Sequence, residues 1–312
     1  MKYSSPESVC ASPIVVLDSG LGGLTVARAL REVLPLEDLV YFGDTARLPY
    51  GSKSPDTVAM FVKQIIAYLR PHNPKHVVIA CNTATALALP AVREAFPDMS
   101  ISGVIEPGSR AAVVAAGAKR VPCIGVLATE ATVRSRAYSH AIHRKRHHAR
   151  VVQQAAPLLV PIIEEGRDLN DPLVHLALKQ YLQPMVDHRM QVLVLGCTHY
   201  PVLRPIVERM LGTTIPVIDS ARLCAEDVTR RLTSQGMLRG LTSDVAGSKS
   251  TAAVGQFRCM VTDDPDRFAR LAPRFLGRTI APPKLVSTDD LFAQTTGSGA
   301  VMESPSARRA AV

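Results

Sequence analysis

Apolar residues along this chain recur at two different periods. Short continuous runs, PIVVL at 13–17, LVYF at 39–42, HVVIA at 76–80, CIGVL at 123–127, VLVL at 192–195 and PVI at 216–218, read as buried strands. Between them, residues such as Val58, Phe61, Val62, Ile65, Ile66 and Leu69 return at spacings of three and four, which gathers them on one helical face. Strand alternating with helix predicts a mostly parallel sheet covered on both sides.

The two halves of the chain repeat one layout. Leu17-Asp18-Ser19 ends a first strand 63 positions before Cys81, and Leu127-Ala128-Thr129 does so 68 positions before Cys197; each cysteine directly follows an apolar run. The expectation is an α/β fold: two similar doubly wound parallel-sheet lobes with pseudo-twofold symmetry and the active site in the cleft between them. Ligands of such sheets sit outside the carboxyl ends of the strands, so Asp18, Cys81 and Cys197 are expected at binding edges. Lobe boundaries are placed near Pro107 and Pro216. The first lobe then takes residues 1–107 plus 217–288, the second takes 108–216, and the small polar residues 289–312 read as a disordered tail.

Composition narrows the class without changing that picture. The 312 residues are 47% hydrophobic and 20% charged, with no tryptophan, as in an ordinary globular protein. No stretch approaches the roughly 20 apolar residues of a membrane span, and the N-terminus lacks a signal-peptide run, so a cytoplasmic protein with no membrane contact is expected. The six cysteines show no metal-ligand spacing, and in a reducing compartment neither a metal site nor a disulfide framework is indicated. The formal charge is +9, and no acidic residue occurs from Ala131 to Ile163, an interval that holds Arg134, Arg136, Arg144, Lys145, Arg146 and Arg150. The plain interpretation of 134–150 is a solvated helix face; weak nucleic-acid contact is the alternative, and nothing else in the chain calls for it.

Five segments carry candidate chemistry. Asp18-Ser19-Gly20-Leu21-Gly22-Gly23 joins a strand to a helix through a glycine turn, but Thr25 stands where a dinucleotide fingerprint needs its third glycine. Asp18 fits a helix cap or a partner for a substrate ammonium equally well. In the loop 43–51, the backbone N–H groups of Tyr50 and Gly51 can receive a carboxylate, or the loop is ordinary and Asp44 pairs with Arg47. Cys81, followed by Asn82 and Thr83, and Cys197, followed by Thr198 and His199, differ from buried structural cysteines in having polar neighbours where a helix begins. A helix N-terminus lowers a thiol's pKa from about 8.5 toward neutrality. His199 is placed to tune Cys197 or carry its proton. Glu164 is either a first-turn helix carboxylate or a partner of His199.

Taken in order, D-S-G-L-G-G-L-T-V, G-D-T-A-R-L-P-Y-G, A-C-N-T-A-T, G-V-I-E-P-G, G-V-L-A-T-E-A-T-V, V-P-I-I-E-E-G and L-G-C-T-H-Y-P resemble the glutamate racemases of the aspartate/glutamate racemase superfamily. The resemblance covers roughly residues 13–280. It implies Cys81 and Cys197 as two catalytic bases assisted by Asp18, Glu164 and His199. It also implies substrate contacts at Asp18, Ser19, Tyr50, Gly51, Asn82, Thr83, Thr132, Thr198 and His199, with Thr129 as an addition. Cofactor-free interconversion of L- and D-glutamate, supply of D-glutamate for peptidoglycan and a homodimer follow from the same resemblance. The sequence departs from the family pattern at Ala155-Ala156, where a cysteine is common, and beyond Leu285.

Racemisation removes an α-proton from one face of a carbon and returns one to the other, so two groups must flank that carbon. No lysine lies in any motif to suggest a pyridoxal Schiff base. Two alternatives remain open at this stage: an aspartate or other amino-acid racemase of the same superfamily, and a cysteine hydrolase using Cys197, His199 and Glu164, which leaves Cys81 unexplained.

Overall fold

The apolar runs form two fully parallel sheets in the computed structural model, which describes residues 9–240 and 254–296. The strands are β1 (Ile14–Asp18), β2 (Leu39–Gly43), β3 (His76–Ile79), β4 (Ile101–Gly103), β5 (Cys123–Ala128), β6 (Arg150–Ala155), β7 (Val192–Gly196), β8 (Val217–Asp219), β9 (Phe257–Val261) and β10 (Lys284–Leu285). One sheet has the order β10-β9-β2-β1-β3-β4 and the other β6-β5-β7-β8. All residues of β1, β2, β3, β5 and β7 are buried, which explains why their sequences run apolar without alternation: helices cover both faces.

The repeat seen in the sequence is a repeat of topology. The run β2-β1-β3-β4 corresponds strand for strand to β6-β5-β7-β8, so β1 matches β5 and β3, which precedes Cys81, matches β7, which precedes Cys197. The first sheet adds β9 and β10 from the returning chain, β9 pairing with β2 in the register Tyr41↔Cys259.

Helix 55–69 shows how local sequence sets an element. Ser54 caps it by accepting the Thr57 N–H at 3.3 Å, Pro55 occupies the first turn, and Val58, Val62, Ile65, Ile66 and Leu69 fall on the buried face. That face fills one side of the first sheet, and helices 105–115 and 137–145 fill the matching side of the second. A third apolar cluster joins the sheets, with Ile14 and Val16 of β1 and Leu127, Leu193 and Leu195 of β5 and β7 in one continuous core.

Three expectations about the division of the chain are corrected. Residues 105–107 belong with the second sheet, because Ile105 opens a helix whose Ala112 and Ala116 pack with Ile124, Val126 and Val194. Val217, assigned to the first lobe, lies in β8 and pairs with Leu193 of β7, so the chain crosses back only after Asp219. The tail expected from residue 289 begins as a helix, Thr288–Thr296: Ser287 and Asp290 cap each other reciprocally and Leu291 is fully buried against helix 55–69. The rest of that tail, 297–312, lies outside the described residues.

Candidate active site

In a parallel sheet every strand delivers its following loop to the same edge. The edges of the two sheets face one cavity of 430 Å³, whose walls include Ser19, Tyr50, Gly51, Cys81, Asn82, Thr83, Thr129, Glu164, Cys197, Thr198, His199 and Arg267. Asp18 and Thr132 stand one layer behind it, fully or almost fully buried.

Cys81 caps helix 82–95, its Sγ accepting the Ala84 N–H at 3.5 Å. The sequence led us to expect a lowered thiol pKa there, and the structure reverses the sign. Burial, then the negative charge of Asp18, outweigh the helix N–H and the Ser19 hydroxyl, and push the thiol up to about 12. The helix is where it was expected; burial of the thiol decides the balance.

Cys197 sits in a different setting. Its Sγ lies 3.9 Å from Nδ1 of His199, whose Nε2 is 2.9 Å from Oε1 of Glu164. Burial works against a charged imidazole at His199, but the hydrogen bonds and negative charges of Cys197 and Glu164 prevail and raise it to about 10. Burial likewise disfavours the Glu164 carboxylate, yet its hydrogen bond to His199, the His199 charge and Arg267 hold it below its ordinary value. Glu164 ends helix 159–164, so the first-turn role considered for it does not apply; it faces His199 instead. Phe275 closes the edge of the imidazole at 5.3 Å between ring centres.

Asp18 caps no helix by its side chain, since helix 24–33 begins from Gly23 without such a bond. Its carboxylate accepts the Gly20 N–H at 3.0 Å and the Thr198 hydroxyl at 3.4 Å, tying the glycine turn to the loop after Cys197. Burial raises its pKa, with the His199 charge and the N–H groups of Gly20 and Gly23 pulling the other way. Gly22 is required here because a Cβ on it would come within 2.3 Å of Thr198 Oγ1.

Hydroxyl and amide groups complete the walls. Thr83, Thr129 and Thr132 form a closed set of contacts at 2.9, 3.3 and 2.9 Å across the two halves. Tyr50 donates to Asp44, which also receives Arg47 Nε at 2.7 Å, so Asp44 and Arg47 do pair, and the pair braces Tyr50 at the cavity. In the basic stretch, Arg144 and Lys145 both pair with Glu106, Arg146 reaches the Lys119 carbonyl and Arg150 the His188 carbonyl. Glu106 offsets one of these charges, and the carbonyls offset none. Among the described residues no group of three or more potential metal ligands converges, and no helix is long and apolar enough to cross a membrane.

The motifs missed Arg267, Tyr138 and Phe275. Arg267 reaches Glu164 at 3.5 Å from the returning segment, and Tyr138 donates to Asn82 at 2.6 Å. Neither sits in a glycine turn or beside a catalytic-type side chain, so no local signal marks them.

The raised His199 has a consequence for stability. A histidine whose folded pKa lies above its ordinary 6.5 contributes stability that is complete below pH 6.5 and is lost as pH climbs toward about 10. Between pH 7 and 10 the thermal midpoint of the wild type is therefore expected to drop by several degrees more than that of His199→Gln, in scans at matched ionic strength. Parallel pH profiles for the two proteins would remove His199 from the account.

One thiol from each of two topologically equivalent sheets, facing a shared cavity, defines the class: a two-lobed α/β protein of racemase type. This chain belongs to the Asp/Glu/Hydantoin racemase family, whose sequence pattern matches residues 24–228. It is 42% identical to a glutamate racemase of Neisseria meningitidis over 88% of this chain and 96% of that one. It is 40% identical to a glutamate racemase of Syntrophus aciditrophicus over 90% and 97%. The fold superposes on the crystal structure of glutamate racemase from Francisella tularensis in complex with D-glutamate with a TM-score of 0.79 at 33% identity, covering 90% of this chain and 99% of that one.

Proposed function

We propose that this protein interconverts L- and D-glutamate without a cofactor, Cys197 exchanging the α-proton on the face presented by the L enantiomer and Cys81 on the face presented by the D enantiomer. The observation that carries this reading is the placement of the two thiols at the ends of the equivalent strands β3 and β7, on one cavity. In the L-to-D direction a proton passes from Cα to Sγ of Cys197 as the Cα–H bond breaks, and the Sγ–H of Cys81 protonates the carbanion from the other side. The high pKa of Cys81 keeps it a thiol at neutral pH, ready to donate. On the other side, the His199–Glu164 pair places a cation beside Cys197 that offsets negative charge on the sulfur as protons move.

The carbanion is the costly species. Fixed donors around the substrate carboxylates stabilise developing charge without reorganising at the moment of reaction. Ser19, the N–H groups of Tyr50 and Gly51, Asn82, Thr83 and Thr198 are the donors we assign to that work, with Asp18 and Thr132 holding them from behind. Supply of D-glutamate for peptidoglycan follows from the relatives' activity. A homodimer rests on resemblance alone and is decided by sedimentation of the purified chain.

Protein stripped with chelator and dialysed, with no pyridoxal phosphate added, is expected to racemise either enantiomer of glutamate in deuterium oxide and to place deuterium at Cα of the product. Activity that disappears on stripping and returns with a cofactor would overturn the cofactor-free reading. Faster turnover of aspartate than of glutamate would move the assignment to the neighbouring racemase activity.

The Cys197–His199–Glu164 series also fits a cysteine hydrolase, with the thiol as nucleophile and the imidazole as base. That reading gives Cys81 no task.

A further inference from the structure

We propose that Tyr138 is a positioning residue for substrate binding: it locks the side-chain amide of Asn82 so that Nδ2, and not Oδ1, faces the substrate carboxylate. The inference rests on the glutamate reading above and adds to it a residue that touches no substrate.

Asn82 immediately follows Cys81, is 2% exposed and forms part of the cavity wall. Its two amide ends are treated differently. Oδ1 accepts the Tyr138 hydroxyl at 2.6 Å, whereas Nδ2 is buried and has no hydrogen-bond partner among the described residues. A buried N–H left unpaired costs on the order of 1–3 kcal/mol, and such orphans mark places where a ligand completes the set. An anionic carboxylate in the cavity is the group that would pair with it.

An amide oxygen only accepts and the phenol has a single proton, so that proton goes to Asn82 Oδ1. The ring itself has no freedom: Tyr138 is fully buried, and a Cβ on Gly196 would stand 3.1 Å from its Cε2. Tyr138 and Asn82 come from helices 137–145 and 82–95, so the contact joins the two halves of the molecule. An amide has nearly the same shape in its two orientations, and packing alone selects poorly between them. The hydroxyl supplies the selection. Without it, half of the orientations would present an oxygen to a carboxylate.

The test is a double-mutant cycle read by calorimetric D-glutamate binding and by steady-state kinetics. Tyr138→Phe, which removes one oxygen, is expected to weaken D-glutamate binding and raise KM roughly tenfold for both enantiomers, with kcat changed far less. In an Asn82→Ala background the same change is expected to have no further effect, because nothing remains to be oriented. A purely structural role predicts an equal penalty in both backgrounds and would overturn the proposal, as would unchanged binding in Tyr138→Phe. Should Tyr138→Phe fail to fold, Asn82→Asp carries the test: it still accepts the Tyr138 hydroxyl but offers no N–H, and is expected to bind D-glutamate at least as weakly as Asn82→Ala. Tight binding by Asn82→Asp would refute the role given to Nδ2. A wild type that binds no D-glutamate at all would instead overturn the glutamate reading, and this one with it.

Discussion

Changing either Cys81 or Cys197 to serine is expected to lower racemisation of glutamate by roughly 10²–10⁴-fold, the range over which a positioned general acid or base contributes to a proton transfer. Both side chains are buried to the same degree, 6% exposed, and each touches an apolar cluster, so a serine of similar volume costs about 1 kcal/mol or less of stability. The variants should therefore fold and fail to turn over, because a hydroxyl is too weak an acid to form the anion that the reaction needs. The hydrolase reading predicts something else: only the Cys197 change matters, and an acyl group can be trapped on that sulfur. A substrate analogue with a leaving group on the β-carbon separates the faces, since elimination requires only that the α-proton be taken. Cys197→Ser is expected to retain elimination from the D analogue and lose it from the L analogue, and Cys81→Ser to do the reverse. Equal loss with both enantiomers in both variants would contradict the assignment of one thiol to each face.

The second large effect is expected at a residue that has no side chain to transfer a proton. In Gly22→Ala the new Cβ would lie 2.3 Å from Thr198 Oγ1 and 2.4 Å from His199 Nδ1, distances at which something has to move. Neither neighbour is free to yield. Thr198 is held by Asp18 through its hydroxyl and by Thr25 Oγ1 through its carbonyl at 3.2 Å, while His199 is anchored at its far nitrogen by Glu164. The loop after Cys197 must shift as a unit, and an overpacked core of this kind costs about 1–3 kcal/mol. A displacement near 1 Å at a reacting group lowers turnover by about 10²-fold, so kcat/KM is expected to fall that far while the protein stays folded. Deuterium exchange at Cα should fall more from the L face than from the D face, because the loop carries Cys197 and not Cys81. Activity within a few-fold of wild type would show that the turn at 20–23 gives way more easily than its contacts indicate.

Much of this protein is determined by the sequence alone. The central strands are legible because burial on both faces makes them continuously apolar, and the matching of Cys81 with Cys197 is legible because each thiol directly follows such a run. The catalytic candidates and the glycine turn lie at or beside the ends of strands and helices, and the pairing of Glu164 with His199 is one of the two roles that residue type allowed. Other elements were hidden for physical reasons. Strand β6 carries Arg150, Gln153 and Gln154 because it is an edge strand with no fully buried residue, so no apolar run announces it. The crossing points of the chain depend on which sheet β8 and helix 105–115 cover, a choice made by packing between distant segments.

Only the tertiary structure decided the chemistry's balance. A helix N-terminus is a local feature and can be read from the sequence, but the pKa of Cys81 depends on how much water surrounds it and on Asp18, 63 positions away, and there burial wins. Arg267 meets Glu164, and Tyr138 meets Asn82, across separations of 103 and 56 residues, because the returning chain and the second sheet bring them to one cavity. Hydrophobic period is a property of neighbours in sequence, which the chain displays openly; electrostatic environment is a property of neighbours in space, and it comes into being only when the two sheets close around the same volume.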